Sequence, residues 1–378
     1  MTGTEPGSVG LVETRLVRLF TEAEPLRLAS GRTVGPVDVA YETYGTLAPD
    51  GGNVVVICHA LTGDAHAAGW HPGDKAPGWW DNLIGPGKPL DTDRFFVVSS
   101  NLLGGCKGTT GPSSVNPATG YVYGLDFPLL AIEDFVEVHR ALLRHLGIGR
   151  VLCVLGGSMG GMQALEWSLR YPDELAHAAI VAASSRLTAQ NIAFSAVARR
   201  AIMEDPNFHG GQYVEAGAGP DVGLSIARMM AHITYLSEDA FTEKFGRSPQ
   251  HPERRPGFGI DFAVESYLDH QAEVFLDRFD ALSYLYLTRV MDYFDPFAVH
   301  PLPVRARPVR YLVLSFDSDW RFSTEHSRRI VRHLEAARYP VTFRDIPSPW
   351  GHDSFLLVID RYHATLRAWF DRALEVGT

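Results

Sequence analysis

A serine framed by glycines, standing between a buried strand and a helix, constrains this chain more than any other feature. Val151-Leu-Cys-Val-Leu155 is an unbroken apolar run. Gly156-Gly-Ser158-Met-Gly160 follows it, and Gly161 to Arg170 then reads as helix. A G-x-S-x-G in a strand–turn–helix setting is the pattern of a nucleophile elbow. The backbone reverses so sharply there that the serine's neighbours have to be small. A strand that is apolar at every position is buried on both faces, as strands are in a parallel sheet covered by helices.

Other segments supply the rest of such a sheet. Residues 11–48 alternate apolar and polar positions around turn signals, which predicts two or three antiparallel strands. Val54–Cys58, Phe95–Ser99 and Val309–Ser315 are further apolar runs, and Val341–Asp345 completes the set. Ile132 to Leu146 carries apolar residues at helical spacing, with Gly147 where a C-terminal cap is wanted. Strand and helix in alternation imply an α/β fold, a mostly parallel sheet flanked by helices. From Arg186 to His300 the alternation stops. NIAFSAVARRAIM, VGLSIARMMAHITYL, DFAVESYLDHQAEVFLDRF and ALSYLYLTRVMDYF are successive helical patterns, with Pro- and Arg-rich Ser248–Phe258 the most loop-like stretch. The expectation is one catalytic domain, residues 1–185 and 301–378, interrupted by a helical lid over 186–300.

Composition narrows the function. A chain of 378 residues with 46% hydrophobic residues is globular, and a net charge of −10 argues against a nucleic-acid partner. No stretch approaches the roughly 20 apolar residues of a membrane span, and Met1–Gly10 has no signal-peptide pattern. Three cysteines without a CxxC pair, Cys58, Cys106 and Cys153, suit a reduced, cytoplasmic protein.

A serine alcohol is a weak nucleophile until a base takes its proton and an acid orients that base. Behind an elbow of this kind the acid precedes the histidine in the chain. Asp317 and Asp319 both lie just past Val309–Ser315, and spacing alone does not choose between them. His352, in Pro349-Trp-Gly-His-Asp353, lies just past the last strand and is the candidate base. An oxyanion hole takes one N–H from the residue after the nucleophile, Met159. It takes a second from the loop after the first buried strand, His59-Ala-Leu-Thr-Gly63, where Leu61 is the candidate. His66, His71 and the LGGCKG segment at 103–108 are placed near the elbow with no role assigned.

With these segments assembled, the chain resembles the homoserine O-acyltransferase family of the α/β-hydrolase fold, from about residue 12 to 372. The matching blocks are HALTGDAHAAG (59–69), PGWWDNLIGPGKPLDTDRFFVV (77–98), LGGCKGTTGP (103–112), GGSMGGMQALEW (156–167), ARMMAHITYLSED (227–239), VESYLDHQ (264–271), RFDALSYLYLTRVMDYFD (278–295) and GHDSFLL (351–357). The resemblance implies acyl transfer from an acyl-CoA to the homoserine hydroxyl, through an acyl-serine, in methionine synthesis. It implies Ser158 as nucleophile, His352 as general base and Asp319, rather than Asp317, as acid. It further implies that Arg228 holds the amino-acid carboxylate as a bidentate partner and that Asp353 holds the ammonium. Periodicity alone makes Arg228 a solvated helix residue.

The acyl donor turns on Arg321. Acetyl-type members resemble one another in carrying an aliphatic residue there, and succinyl-type members are similar to this chain. A succinyl group brings a distal carboxylate whose charge the pocket must pair. SVNPATGYVYGLDFP (114–128), TAQNIAF (188–194) and DWRFS also resemble the succinyl type, whereas LTGDAHAAG fits the acetyl type equally well. Succinyl-CoA and L-homoserine are the expected substrates. Acetyl-CoA as donor, serine as acceptor, and plain ester hydrolysis are the alternatives. No metal and no bound cofactor is expected beyond the acyl-CoA co-substrate. The resemblance implies a homodimer built through the helical lid, where the SYLYLTRVMDYF face suits either a partner or the core.

Overall fold

The apolar runs assemble into a single eight-stranded sheet in the computed structural model, which describes residues 6–251, 257–303, 305 and 308–377. At one edge β1 (Arg15–Phe20) pairs antiparallel with β4 (Val37–Tyr44), and β2 (Leu26–Arg27) with β3 (Thr33–Val34) makes a small hairpin between them. The remaining strands are β5 (Val54–Cys58), β6 (Phe96–Ser100), β7 (Val151–Gly157), β8 (Leu175–Val181), β9 (Arg310–Phe316) and β10 (Val341–Ile346). Their order is β1-β4-β6-β5-β7-β8-β9-β10, antiparallel from β1 to β6 and parallel from β6 to β10.

Side-chain alternation along these strands builds two cores. In β5, Val54, Val56 and Cys58 join the cluster on one face, and Val55 and Ile57 join the other. The helices α1 (Ile132–His145), α2 (Met159–Arg170), α10 (Thr324–Ala336) and α11 (Asp360–Gly377) accompany the sheet. Gly147 closes α1 at φ +74°, its N–H donating to Arg144 O at 3.1 Å, so it serves as the left-handed cap expected of it. One strand is additional to the sequence reading. Leu175–Val181 reads LAHAAIV, with an alanine-rich apolar run after His177, and β7 and β9 pair with both its edges.

Between β8 and β9 the described residues form no strand, only one isolated bridge (Pro249 with Phe262), a 3-10 turn over Pro206–Gly211 and the helices α3 (Ala189–Met203), α4 (Tyr213–Ala216), α5 (Asp221–Tyr235), α6 (Glu238–Lys244), α7 (Ala263–Leu276), α8 (Ala281–Tyr293) and α9 (Pro296–Val299). Residues 252–256 of the expected loop lie outside the described residues. The face of α8 is used internally, with Tyr284, Leu285, Tyr286, Leu287, Val290 and Met291 all buried in the main core. The C-terminal end of α5 reaches back to the strand ends. Ser237, just beyond it, donates its hydroxyl to Pro349 O, and Leu236 O accepts from the Trp320 indole at 2.9 Å.

Candidate active site

The elbow is strained and tightly fitted. Ser158 sits at φ +57° and ψ −123°, and its N–H donates to Val181 O at 2.9 Å. Few non-glycine residues adopt such a backbone, and a structure holds them there only by over-determining the surroundings. The glycines show how. A Cβ on Gly156 would stand 2.2 Å from the Gly160 backbone, and one on Gly160 would stand 1.9 Å from Cys58 O. The turn into α2 thus packs directly on the end of β5. A Cβ on Gly157 would meet the Phe355 ring at 2.4 Å, so the histidine-bearing segment closes on the same turn.

The loops after β9 and β10 bring two further groups to Ser158. His352 Nε2 lies 2.8 Å from Ser158 Oγ, and His352 Nδ1 lies 2.7 Å from Asp319 Oδ2. A carboxylate only accepts, so Nδ1 carries the hydrogen and Nε2 is left to accept the serine proton. The other Asp319 oxygen accepts the Phe322 N–H at 2.8 Å. All three side chains are buried. Asp317, its rival on spacing, is exposed and caps the neighbouring loop by accepting the Ser348 N–H at 2.9 Å. Gly351, at φ +68°, leaves no room for a side chain, since a Cβ there would lie 2.6 Å from Ser237 N. The glycine before His352 therefore lets the end of α5 press onto the histidine.

Leu61 and Met159 occupy the turn after β5 and the first position of α2. Among the described residues neither N–H donates to another backbone group. The Leu61 loop is fixed by two groups the sequence reading passed over. Gln163 donates to His59 O at 3.1 Å, and His59 Nε2 accepts the Leu102 N–H at 3.1 Å. Burial holds the His59 imidazole below its ordinary range, which suits a neutral ring in that accepting role.

Two buried arginines flank the triad. Arg321 stands two residues after Asp319 and is 7% exposed, and Arg228 of α5 is 9% exposed. Arg321 Nη1 donates to Thr234 Oγ1 at 2.8 Å, and its guanidinium lies 5.4 Å from the Tyr235 ring centroid. Arg228 stacks over Phe275 at 4.5 Å, and its buried Nε has no hydrogen-bond partner. Neither forms an ion pair with a carboxylate among the described residues. The nearby Asp353 carboxyl is pushed up to about 6 by burial, against the pull of His352 and Arg228, with Asp319 adding to the rise and Arg321 opposing it. Thr234 and Tyr235 are thus part of the arginine's setting, and a threonine–tyrosine pair in a helix gave no signal in the sequence.

The profile of the alpha/beta hydrolase fold family matches residues 53–357. The chain is 56% identical over 363 residues to a homoserine O-succinyltransferase of Nocardioides sp. strain JS614, covering 94% of this chain and 97% of that protein. It is 54% identical over 379 residues to a homoserine O-succinyltransferase of Magnetococcus marinus strain MC-1, covering 97% and 96%. Among solved structures it is similar to a homoserine O-acetyltransferase from Bacillus anthracis, with a TM-score of 0.85, 26% identity and coverage of 97% of this chain and 98% of that one. It is also similar to esterase E22, with a TM-score of 0.85, 29% identity and coverage of 95% and 100%.

Proposed function

This chain belongs to the homoserine O-acyltransferase family of the alpha/beta hydrolase fold, and from that membership we propose that it transfers the succinyl group of succinyl-CoA to the hydroxyl of L-homoserine. The observation that carries the proposal is the pair of buried guanidinium groups, Arg228 and Arg321, beside a hydrogen-bonded Ser158–His352–Asp319 triad. A buried cation without a carboxylate partner is costly, and the cost falls when an anion arrives. Homoserine brings one carboxylate and a succinyl group brings another, so the two substrates supply an anion for each arginine. An acetyl group supplies none to Arg321.

In the first half of the reaction His352 Nε2 takes the Ser158 proton as Oγ attacks the thioester carbonyl. The oxyanion rests on the Leu61 and Met159 amides. The tetrahedral intermediate collapses, the C–S bond breaks, and the CoA thiolate leaves with the proton that His352 returns. In the second half Arg228 holds the homoserine carboxylate and Asp353 its ammonium. His352 then takes the hydroxyl proton, the alkoxide attacks the acyl-serine, and Ser158 is released with its proton restored. This ping-pong route calls for no metal cofactor.

Offered separately with homoserine, succinyl-CoA is expected to show the higher kcat/KM and acetyl-CoA the lower. The reverse order overturns the donor reading. The likeness to esterase E22 favours one second reading, hydrolysis of the acyl-serine by water. CoA release that is no faster with homoserine than without it would establish that reading instead. We also propose that the enzyme works in the cytoplasm as a homodimer joined through its lid. Exposed Val222 and Ile226 on α5 and Val197 on α3 support that face, and sedimentation equilibrium checks it.

A further inference from the structure

Away from the triad, the described residues hold one tight group of ligating side chains, Glu42, His66 and His71, whose ligating atoms all lie within 4.8 Å of one another. Glu42 lies on β4 and is buried. Both histidines lie on the loop that leaves β5 through Leu61. Their rings stack with centroids 3.9 Å apart and an interplanar angle of 27°. Each turns one nitrogen to the same carboxylate: His66 Nδ1 is 3.1 Å from Glu42 Oε2, and His71 Nε2 is 2.8 Å from Glu42 Oε1. The triad chemistry uses none of these groups.

The surroundings of the cluster are as ordered as its centre. On the far side of the rings, His66 Nε2 and His71 Nδ1 each lie 3.5 Å from one oxygen, Asp74 Oδ2. His66 Nε2 is buried and has no hydrogen-bond partner. Glu42 is steadied by hydroxyls, with Thr14 Oγ1 donating at 2.6 Å and Tyr44 OH at 2.7 Å. Two imidazoles and a carboxylate face inward, with a carboxylate behind the imidazoles and hydroxyls behind the inner carboxylate. Histidine–carboxylate metal sites are built this way, because the outer carboxylate fixes the ring tautomers and raises their basicity. The two nitrogens stand 3.1 and 2.8 Å from different oxygens of Glu42, hydrogen-bond spacings that a small movement of the rings turns into the roughly 3.3 Å that neighbouring ligands keep around a tetrahedral ion with bonds of about 2.0–2.1 Å.

We propose that Glu42, His66 and His71 bind a divalent transition-metal ion, with Zn²⁺ the occupant best matched to two imidazoles and one carboxylate. His66 Nδ1, His71 Nε2 and a Glu42 oxygen are the ligands, and the Asp74 carboxylate, 3.5 Å from the far nitrogen of each ring, closes in to accept from both when the ion binds. The fourth position opens on the cleft of about 1230 Å³ that His66, His71 and Asp74 line together with Ala60, Thr62 and Gly63. The ion takes no part in acyl transfer. It clips the loop that carries Leu61 to β4, so its effect is on the order of that loop and on the cleft wall.

The chain, stripped with a chelator and dialysed, is titrated with Zn²⁺ by calorimetry and with Co²⁺ by visible spectroscopy. One ion per chain is expected, with the strong d–d absorption of a four-coordinate Co²⁺ site and a melting temperature that climbs with Zn²⁺ concentration. His66→Ala and His71→Ala should each weaken Zn²⁺ binding at least about tenfold, whereas His145→Ala, at the exposed end of α1, should not. His71→Gln, which keeps a polar group toward Glu42, serves where the alanine variant does not fold, and its metal-free melt verifies folding. Absence of binding at micromolar Zn²⁺, or binding that survives both histidine substitutions, overturns the proposal. So does a pair of rings that only exchange protons in an NMR titration while Zn²⁺ is present.

Discussion

The triad and the two arginines beside it are buried to similar degrees, but they differ in what they already hold. Ser158, His352 and Asp319 satisfy one another in a closed chain of hydrogen bonds, and Asp319 uses its second oxygen on Phe322 N–H. Arg321 holds a single threonine hydroxyl, and Arg228 holds an aromatic face and leaves Nε without a partner. The finished part stands on the loops at the ends of parallel strands, where the sheet fixes positions tightly. Of the unfinished part, Arg228 comes from α5, whereas Arg321 shares the loop after β9 with Asp319 and meets α5 at Thr234. Under the proposed function, the triad is ready before any substrate arrives and the substrates themselves complete the arginines. In that proposal chemistry belongs to the first set and selection to the second.

Breaking the finished set should have the largest effect. Ser158→Ala is expected to lower kcat by about 10⁴-fold or more, since triad members act as a unit, with CoA thiol release as the measurement. Mass spectrometry after mixing with succinyl-CoA alone should find the acyl adduct on Ser158 in the parent chain and none in the variant. An adduct elsewhere, or turnover within tenfold of the parent, would remove the triad from the mechanism.

How much of this was legible beforehand follows the same division. The elbow and His352 were readable because their chemistry demands glycines and a strand end in sequence. The strands β5, β7 and β9 were readable because burial on both faces writes apolar runs, and β10 through its place after them, since VTFRDI is an only partly buried edge strand. β8 was passed over because its apolar run is mostly alanine, which favours helix as readily as strand, and its pairing with β7 and β9 decides between them. Asp317 and Asp319 were indistinguishable by spacing, since what separates them is a contact with Ser348 from the next loop. Arg228 was invisible to periodicity because its burial depends on α5 meeting Phe275 of α7. Resemblance, rather than pattern, singled it out.

The unfinished set should fail selectively. Arg228→Ala removes the bidentate partner proposed for the homoserine carboxylate, and kcat/KM for homoserine should fall about 10²-fold or more. The burst of CoA released from succinyl-CoA alone should stay within about threefold of the parent. Equal damage to the burst would mean that Arg228 supports the triad instead. Arg321→Leu is expected to cut the preference for succinyl-CoA over acetyl-CoA about 10²-fold, since a desolvated carboxylate left unpaired costs a few kcal/mol. Acetyl-CoA activity should be nearly unchanged, which separates a donor contact from a general loss of packing.

The smallest effect offers the finest test of the contrast, because it asks whether the arginines are already partnered by Asp353. Burial lifts the Asp353 carboxyl from its ordinary 3.8 to about 6, and the charges of His352, Arg228 and Arg321 reduce that rise without cancelling it. Between those two values the folded chain keeps a proton that the unfolded chain has lost. The folded state therefore binds more protons, and stability falls as pH rises across that window. Above about 6 the penalty stays constant, and below about 4 it is absent. Asp353→Asn, which cannot ionise, should thus be more stable than the parent in urea melts at pH 8, with the difference vanishing near pH 4. The same variant should raise the KM for homoserine, because the ammonium loses its counter-charge. A variant less stable than the parent at pH 8 would mean that Arg228 and Arg321 hold the Asp353 charge more firmly than burial opposes it. The arginines would then be paired before substrate binds, and the division between a finished triad and unfinished selectors would fail.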